Sequence, residues 1–421
     1  MAAKRSAPKS RRQITKARGE PRAVAGGKAR ASSLKKSLGT PSRKKKGSGA
    51  DLFASVGALA ERGAYGAAIQ AAEAIIETNP TYWLAWRAIY LILWHVGRFE
   101  DSQRILELAL ASIPPTDAAR VELTMCLAQA AEKTGLRIPQ VLEVMEKTIA
   151  TLGPTVPLVW HIPRLVSRLG QAGDVLVAAK RARDLCPDAP ESHFNMSTYL
   201  IAAGREKEAV ASFARILRPH GKTDAQPPAD VVEQYAPIAP TYEENPLQLY
   251  FTKRMAEIIL DILKTTEDKK VLDAGCGTGL LGTRIKTVRL VGIDLSPDML
   301  AVARGRGIYD ELVEGDLAAV MAARTDAFDV VASSCVLYHM ADLAFFFRQS
   351  ARLLVPGGHL FFSVDPAPDS MDIGITPFGG FAHSRAYLRR LAAENGFAEI
   401  AIKIMEHRAA PGFWCAFQRA P

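Results

Sequence analysis

The amino-acid sequence predicts two folded parts of different class, an all-α repeat array over residues 51–220 and an α/β domain over residues 246–421. Three observations lead to this prediction. Glycines and prolines recur at intervals of 34 residues in the first part, apolar segments alternate with helical segments in the second, and the net positive charge lies in the segment before both. A length of 421 residues is enough for two or three domains.

Several classes of protein are excluded by composition. The most apolar segment, residues 84–96, is short and contains Arg87 and His95, so the sequence predicts no membrane-spanning helix. The charged N-terminus has no apolar segment behind it, which argues against a secretory signal peptide. The five cysteines are an odd number without a CxxC pair, so we expect no disulfide framework, no structural zinc site and a cytoplasmic protein.

The net charge of +9 arises from the N-terminal segment. Residues 1–50 contain 16 Lys and Arg and one acid, Glu20, so this segment carries +15 and the remaining 371 residues carry −6. The segment lacks aromatic residues and cannot bury enough apolar surface to offset its chain entropy, so we predict a disordered tail. Its charge favours weak, nonspecific binding to nucleic acid or another polyanion, and a solvated tail without a partner is the alternative.

Residues 51–220 contain a repeated pattern of glycine and proline. Around each glycine an apolar helical segment ends and a second helix with small residues follows. Glycine in the left-handed conformation is a frequent helix terminator, and a proline commonly follows the end of a helix. The pairs that lie 34 residues apart are Gly63 and Gly97, Gly170 and Gly204, and Pro80 and Pro114.

This pattern resembles the tetratricopeptide repeat (TPR), with about five degenerate copies. The resemblance implies a superhelix of stacked helix pairs whose concave groove binds a peptide or a partner protein. Self-association, or support for the next domain, is the alternative. Residues 221–245 are rich in proline and polar residues and are predicted to be a linker, whose end from Tyr235 to Asn245 folds over the following domain.

The pattern changes after residue 245 to strands that alternate with helices. Such alternation predicts a parallel sheet covered on both faces, with ligands bound at the carboxyl ends of the strands. The predicted strands are 270–276, 289–295, 311–314, 328–335 and 359–365, followed by an antiparallel hairpin of 399–406 and 413–419. The predicted helices include 297–306, 343–354 and 384–395.

Candidate binding residues follow three successive predicted strands. The first strand runs into LDAGCGTGLLG (272–282), whose glycines let the backbone approach a ligand and whose following helix directs amide groups at an anion. Asp294 ends the second strand and is placed to accept hydrogen bonds from both hydroxyls of a ribose. Asp316 and Leu317 end the third, where a carboxylate can accept from an adenine amine. The three strand ends therefore fit a nucleoside with an attached anionic group.

Two ligands satisfy that description, a dinucleotide and S-adenosylmethionine. GTGLLG (277–282) matches the GxGxxG pattern of dinucleotide sites, which alone is a weak signal. Asp273 lies two residues before Gly275, where a carboxylate can receive the ammonium of a methionine moiety and would repel a pyrophosphate. The sequence therefore favours S-adenosylmethionine.

The complete set of segments resembles class I S-adenosylmethionine-dependent methyltransferases of the type 11/12-like group. After the glycine-rich loop and Asp294 come EGDL (314–317), FDVVASSCVLYHM (328–340) and LLVPGGHLFFSV (353–364), in the order and spacing of that family. The resemblance implies a Rossmann-like, seven-stranded sheet. It also assigns Asp273, Gly275, Cys276, Gly277, Thr278 and Gly279 to the methionine end, Asp294 and Leu295 to the ribose, Asp316 and Leu317 to the adenine, and Ser333 to the wall near the sulfonium.

Methyl transfer from a sulfonium depends mainly on in-line positioning, because the donor is already activated. A general base helps only if the acceptor must lose a proton. The best candidate is His339, just past the fourth strand. A second candidate is His383, which follows residues 377–380, a segment that we expect to form a mobile flap. No metal is predicted.

The segment after the fourth strand narrows the choice of acceptor. Amine-methylating nucleic-acid enzymes of this class carry an Asn/Asp-Pro-Pro-aromatic motif there, and cytosine-carbon methyltransferases carry a Pro-Cys nucleophile. Residues 333–340, SSCVLYHM, contain neither. The segment is more similar to the small-molecule branch of the family, and the chain as a whole resembles bacterial TPR-containing methyltransferases.

We therefore expect methyl transfer to an oxygen or nitrogen of a small or carrier-bound molecule, with the repeats used for docking or assembly. A protein methyltransferase whose TPR groove recruits the substrate polypeptide is one alternative. A non-catalytic TPR scaffold with a cofactor-sensing domain is the other.

Overall fold

A computed structural model of the protein describes residues 48–170, 172–221 and 231–421. The predicted disorder of the basic tail falls almost entirely on residues 1–47 and therefore lies outside the described residues. Within the described ranges, no helix combines the length and the apolar character that crossing a membrane requires.

Helices joined by tight glycine turns form the described part of the first compact unit, which ends at Ala130. Gly63 (φ 76°) and Gly97 (φ 81°) adopt the left-handed conformation that the sequence predicts, in which other residues are strained. Small residues such as Ala68 and Ala72 are buried in the core of this unit. The helices are α1 (Ser48–Glu61), α2 (Tyr65–Thr78), α3 (Trp83–His95), α4 (Phe99–Ser112) and α5 (Ala119–Thr134), the last of which continues past the end of the unit.

The second unit, Ala131–Pro421, begins with further helices. Gly170 (φ 83°) and Gly204 (φ 70°) follow helix ends in the same left-handed conformation. The glycine turns are therefore where the repeat pattern predicts them, while the assignment of the helices to tetratricopeptide repeats stays a prediction. The helices are α6 (Ile138–Leu152), α7 (Val156–Val159), α8 (His161–Arg168), α9 (Ala172–Leu185), α10 (Pro190–Ala202) and α11 (Glu206–Ala214).

The rest of the second unit is built on a mixed sheet. Its strands are β1 (Arg218–Pro219), β2 (Lys270–Ala274), β3 (Arg289–Asp294), β4 (Glu311–Glu314), β5 (Phe328–Ser333), β6 (Leu354–Ala367), β7 (Ile373–Ile375), β8 (Phe381–Ser384), β9 (Phe397–His407) and β10 (Ala410–Arg419). Seven of them lie in the order β4–β3–β2–β5–β6–β10–β9, with parallel pairing from β4 to β6 and antiparallel pairing in the β9–β10 hairpin. This order confirms the predicted Rossmann-like sheet and its C-terminal hairpin.

Both faces of the central sheet are buried, as the continuous apolar strands require. On β2, Val271 belongs to a core cluster with residues of α13, whereas the next residue, Leu272, belongs to a cluster with residues of α15, α16 and α17 on the opposite face. The segments and helices that accompany the sheet are α12 (Val231–Tyr235), a 3₁₀ segment (Ala236–Glu244), α13 (Pro246–Leu263), α14 (Pro297–Gly305), α15 (Leu317–Ala323), a 3₁₀ turn (Leu337–His339), α16 (Ala344–Leu353) and α17 (Arg385–Glu394).

Three short strands extend the sheet beyond the prediction. β8 pairs with the end of β6, β7 pairs with β8, and β1 pairs with β7. The predicted mobile flap, residues 377–380, is the connection between β7 and β8. It is closed by hydrogen bonds from the Thr376 amide to the Gly380 carbonyl (2.8 Å) and from the Gly380 amide to Thr376 Oγ1 (3.0 Å). The flap is therefore a hydrogen-bonded turn at the edge of the sheet.

The helical hairpin of α10 and α11 shares a core with the sheet. Phe213 of α11 is 1% exposed and belongs to one apolar cluster with Ala367 of β6, Ala382 of β8 and Ala410 of β10. Thr198 of α10 also donates a hydrogen bond to a backbone carbonyl just before β10, that of Ala409. The last predicted repeat is thus built into the same unit as the α/β part.

Replacing Phe213 with Ala should lower the free energy of unfolding by about 3–5 kcal/mol, because a buried aromatic ring is removed between the helical hairpin and the sheet. Denaturant unfolding of the full chain, followed by circular dichroism, measures this change. Val177→Ala is the control, since Val177 is exposed and its loss should change stability by no more than about 0.5 kcal/mol. Equal stability of the two variants would contradict the shared core.

Candidate active site

A cleft of about 410 Å³, here named the strand-end cleft, opens at the carboxyl ends of β2, β3, β4 and β5. Its volume lies within the range of about 300–1,000 Å³ that is common for small-ligand sites. Parallel strands deliver the residues that follow them to a single edge of the sheet, where ligands of such sheets bind. The residues after these strands that line the cleft include Gly275 and Gly277, Asp294 and Leu295, Gly315, Asp316 and Leu317, and Ser334.

The glycine-rich loop after β2 packs closely against the other side of the cleft. Gly275 has a φ of 83°, and a Cβ atom on it would lie 2.4 Å from Cγ2 of Val336. Both the conformation and the space therefore require glycine. The amides of Gly275 and Cys276 donate to the carbonyl of Ile293 at 2.8 and 2.9 Å, which ties the loop to β3.

The helix that the sequence predicts after this loop is absent. Residues 277–284 form turns, and β3 begins at Arg289. A helix of three turns needs about 11 residues, and the connection between Ala274 and Arg289 leaves too little chain for such a helix together with its two connections. The predicted anion site at a helix N-terminus is therefore wrong, and the loop presents only its own backbone amides.

Asp294 connects the glycine loop to the end of β3. Its Oδ2 accepts a hydrogen bond from the Gly277 amide at 2.7 Å, and its Oδ1 accepts one from the Ser296 amide at 2.9 Å. Burial raises the pKa of this carboxyl, while the two amide donors oppose the shift. A carboxylate offers about four acceptor positions, so Asp294 keeps capacity to accept from ligand hydroxyls in the cleft.

The end of β4 supplies a carboxylate with apolar neighbours. Asp316 caps α15, because its Oδ1 accepts a hydrogen bond from the Ala319 amide at 3.0 Å. Leu317 lies beside it, and Leu295 from the end of β3 is 41% exposed at the cleft. Apolar side chains beside a carboxylate suit a flat heterocycle that carries an amine.

Asp273 does not line the cleft. Its side chain is 2% exposed, and its Oδ2 accepts a hydrogen bond from the Tyr309 hydroxyl at 2.7 Å. Burial raises the pKa of Asp273 to about 7, although the Tyr309 hydrogen bond opposes the shift. The structure therefore corrects the prediction that this carboxylate faces a ligand ammonium, because Asp273 lies inside the strand and its carboxylate is directed into the protein.

Four other predicted cofactor residues also lie outside the lining of the cleft. Cys276 and Thr278 are buried within the loop, and Gly279 packs against Tyr309. Ser333 is fully buried, and its Oγ donates to the Ala274 carbonyl at 2.8 Å. Ser333 thus links β5 to β2, and the next residue, Ser334, reaches the cleft in its place.

A cover over the strand-end cleft comes from the segment 231–244, which contains most of the linker end that the sequence predicts to fold over this domain. Tyr235 and Tyr242 line the cleft, and the Tyr242 hydroxyl donates to Gln248 Oε1 at 2.8 Å. Glu243 forms an ion pair with Arg306, whose Nε also donates to the Thr278 carbonyl at 2.6 Å. The predicted linker end is therefore anchored to the glycine loop.

A second cavity, of about 310 Å³, meets the strand-end cleft at His339, which lines both. Burial lowers the pKa of His339 to about 4, and the nearby Arg408 contributes to the shift. The imidazole is consequently neutral at pH 7. Its buried Nδ1 forms no hydrogen bond with any residue that the structure describes.

His383, the second predicted catalytic histidine, lies on β8 and is fully buried. Its Nε2 lies 3.0 Å from the Ala341 carbonyl, and its ring stacks on Tyr387 at a centroid distance of 5.8 Å. Burial lowers the pKa of His383 to about 4. The structure corrects the prediction for this residue, since it lines neither the strand-end cleft nor the second cavity. Among the described residues, no group of three or more His, Cys, Asp or Glu is arranged to hold a metal ion.

Comparison with protein families gives a match over the strands that build the cleft. Residues 272–362 match the family model described as "Methyltransferase domain". This segment is therefore similar to a methyltransferase domain. It contains the glycine-rich loop, Asp294, Asp316 and His339, that is, the residues of all four strand ends.

Curated relatives of this segment include ubiquinone biosynthesis O-methyltransferases. The chain is 39% identical over 132 residues to the ubiquinone biosynthesis O-methyltransferase of Thiobacillus denitrificans, a match that covers 30% of this chain and 53% of the relative. It is 36% identical over 133 residues to the enzyme of that name from Chromobacterium violaceum, covering 30% and 53%. The chain thus spans about half the length of the curated relatives that it matches.

Solved structures similar to this chain include the 1,6-didemethyltoxoflavin-N1-methyltransferase of Burkholderia thailandensis, with 16% identity, a TM-score of 0.40, and coverage of 49% of this chain and 95% of that one. The N-methyltransferase of Bradyrhizobium japonicum is 18% identical with a TM-score of 0.37, and the match covers 45% of this chain and 97% of that one.

The match to a methyltransferase model agrees with the S-adenosylmethionine cofactor that the sequence predicts. The residues of the strand-end cleft fit this molecule. Asp294 retains acceptor positions for ribose hydroxyls, Leu295 and Leu317 offer apolar contact beside Asp316 for the purine, and the backbone at Gly275 leaves room for the methionine end. These individual roles stay predictions.

Replacing Asp294 with Ala should weaken binding of S-adenosylhomocysteine by about 10- to 150-fold, or about 1.5–3 kcal/mol, because hydrogen bonds to a charged group are removed. Calorimetric titration of the full chain measures the affinity. Asp298→Ala is the matched control, since Asp298 is exposed four residues further on and does not line the cleft. An unchanged affinity in the Asp294 variant would reject its role.

Asp273 should make stability depend on pH. Because its folded-state pKa is raised from 3.8 to about 7, the folded chain holds this proton more tightly than the unfolded chain. The resulting stabilisation is complete below about pH 4 and is lost as the pH rises to 7, at roughly 1.4 kcal/mol for each pH unit. Urea unfolding between pH 4 and 8 should show this slope, and Asp273→Asn should remove it. Parallel profiles for both proteins would contradict the assignment.

Proposed function

We propose that the protein is an S-adenosylmethionine-dependent methyltransferase that transfers a methyl group to an oxygen or nitrogen of a small or carrier-bound molecule. The observation that carries this proposal is the pair of adjoining cavities. The strand-end cleft suits the methyl donor, and the second cavity meets it at His339, where an acceptor can reach the methyl group.

Two further observations support this choice of acceptor. The curated relatives named above are O-methyltransferases, which favours an oxygen. The second cavity has a volume of about 310 Å³, which is near the lower end of small-ligand sites and suits a small molecule or the end of a carrier-bound group.

The chain's contribution to the reaction is mainly positional. When bound, S-adenosylmethionine supplies a methyl group that is already activated on a sulfonium. Holding the acceptor in line can contribute about 7–11 kcal/mol to lowering the barrier. His339, neutral at pH 7, is placed to take the proton that an acceptor hydroxyl or amine loses as it becomes methylated. The helices before the domain would serve docking or assembly.

The test uses the full chain with S-adenosylmethionine labelled in its methyl group and a cell extract, which is separated by size after the reaction. We expect labelled product in the small-molecule fraction, and much less of it with the Asp294→Ala variant at the same cofactor concentration. Label on polypeptides would favour a protein methyltransferase instead, and the absence of any labelled product would favour a cofactor-sensing scaffold.

Replacing His339 with Gln should lower kcat about 10²- to 10⁴-fold, the usual contribution of a general base. The binding of S-adenosylhomocysteine should change little. With the wild-type protein, kcat should fall only below about pH 5, since the pKa of His339 is about 4. Steady-state rates at several pH values measure both effects. A kcat within threefold of the wild type would show that no base is needed.

A further inference from the structure

Three charged groups lie at the second cavity or directly behind its wall, namely the buried Asp365 of β6 and His407 of β9 and the partly exposed Arg408 in the turn after β9. Asp365 accepts hydrogen bonds from His407 Nδ1 at 2.8 Å and from an Nη atom of Arg408 at 2.5 Å. The Asp365 and His407 side chains are almost inaccessible, and Asp365 and Arg408 line the cavity. A carboxylate is therefore shared by two basic residues.

Asp365 is the acid that these two basic residues share. Burial by itself lowers the pKa of His407, but Cys335 and Asp365 together raise it to about 9. Arg408 also holds the pKa of Asp365 below its usual value, although burial opposes this. Both neighbours therefore stabilise the charged form of the Asp365 carboxyl. The other acid that lines the cavity is Glu191, which is exposed at its rim.

Arg408 presents its guanidinium to the cavity. Its Cζ lies 3.4 Å from the centroid of the Tyr338 ring, so the guanidinium lies over the phenol. Its Nε is buried and has no hydrogen-bond partner among the described residues. A buried donor without a partner is costly unless a ligand or water satisfies it. The Arg408 guanidinium therefore has an unused donor beside the cavity.

The walls of the second cavity are aromatic. Phe194 of α10 and Phe213 of α11 line it from the helical hairpin, and Phe378 lines it from the β7–β8 turn. The rings of Phe194 and Phe378 lie 5.2 Å apart and nearly perpendicular to each other. Aromatic side chains in this arrangement favour a flat ring, which binds by stacking or by edge-to-face contact.

We propose that the second cavity binds an aromatic acceptor that carries an anionic group, and that Arg408 receives that group while the ring lies between Phe194, Phe378 and Tyr338. This rests on the proposed function, since it names the class of acceptor for the same site. It also assigns the last helical hairpin to the acceptor site, because α10 and α11 supply one of its walls.

The test compares two ligands that differ in charge, 3,4-dihydroxybenzoate and its uncharged analogue 3,4-dihydroxybenzamide. Both are titrated calorimetrically into the full chain saturated with S-adenosylhomocysteine, so that no turnover is needed. We expect the carboxylate to bind at least about tenfold more tightly than the amide, as a hydrogen-bonded charge pair would give. Equal affinities, or binding of neither ligand at millimolar concentration, would overturn the proposal.

Two variants of Arg408 test whether this residue causes the preference for the charged ligand. Arg408→Gln should bring the two affinities within about twofold of each other, and Arg408→Lys should retain most of the preference. Arg389→Gln is the matched control, because Arg389 pairs with Glu399 on the surface away from both cavities. A preference that persists in Arg408→Gln would overturn the assignment of this residue.

Two measurements distinguish a failure of this proposal from misfolding of a variant and from a failure of the proposed function. Unchanged affinity for S-adenosylhomocysteine shows that Arg408→Gln is folded, and the wild-type ratio decides the proposal if this variant fails to fold. Charge-selective binding without any methylated product would refute the enzyme function alone. A methylated product that is uncharged and non-aromatic would refute the acceptor class alone.

Discussion

The carboxylate of Asp294 holds the strand-end cleft together. It accepts one hydrogen bond from a backbone amide of the loop after β2 and another from an amide of the turn after β3, so it fixes the distance between these two segments. In many nucleotide sites a helix N-terminus supplies the ordered amides. In this chain the loop after β2 continues as turns, and a side chain performs the ordering that a helix would otherwise provide.

The sequence predicted the sheet well because its strands are long, apolar and separated by clear breaks. β3, β4 and the two strands of the C-terminal hairpin lie within two or three residues of their predicted bounds. β1, β7 and β8 were not predicted, since strands of two to four residues carry too few side chains to show a period. Their pairing depends on neighbours that are distant in sequence.

The same dependence on distant parts of the sequence explains which residues of the site were predicted and which were not. A residue at the end of a strand reaches the cleft because the backbone directs it there, and Gly275, Asp294 and Asp316 were predicted for that reason. Asp273 and Ser333 lie one or two residues earlier, where the strand is still buried on both faces. No sequence pattern distinguishes the last buried position from the first exposed one. Likewise, Tyr235 and Arg408 reach the two cavities from segments far away in the sequence.

One hydrogen bond connects a residue that lines the strand-end cleft to a residue that lines the second cavity. Tyr235 lines the strand-end cleft, Tyr338 lines the second cavity, and their hydroxyl oxygens are 2.8 Å apart. Tyr338 also lies under Arg408. A molecule that shifts either phenol therefore alters the surface offered to the other molecule. Thermodynamic reciprocity then requires that each changes the affinity of the other by the same factor. The affinities for the two molecules are thus coupled through this pair of oxygen atoms.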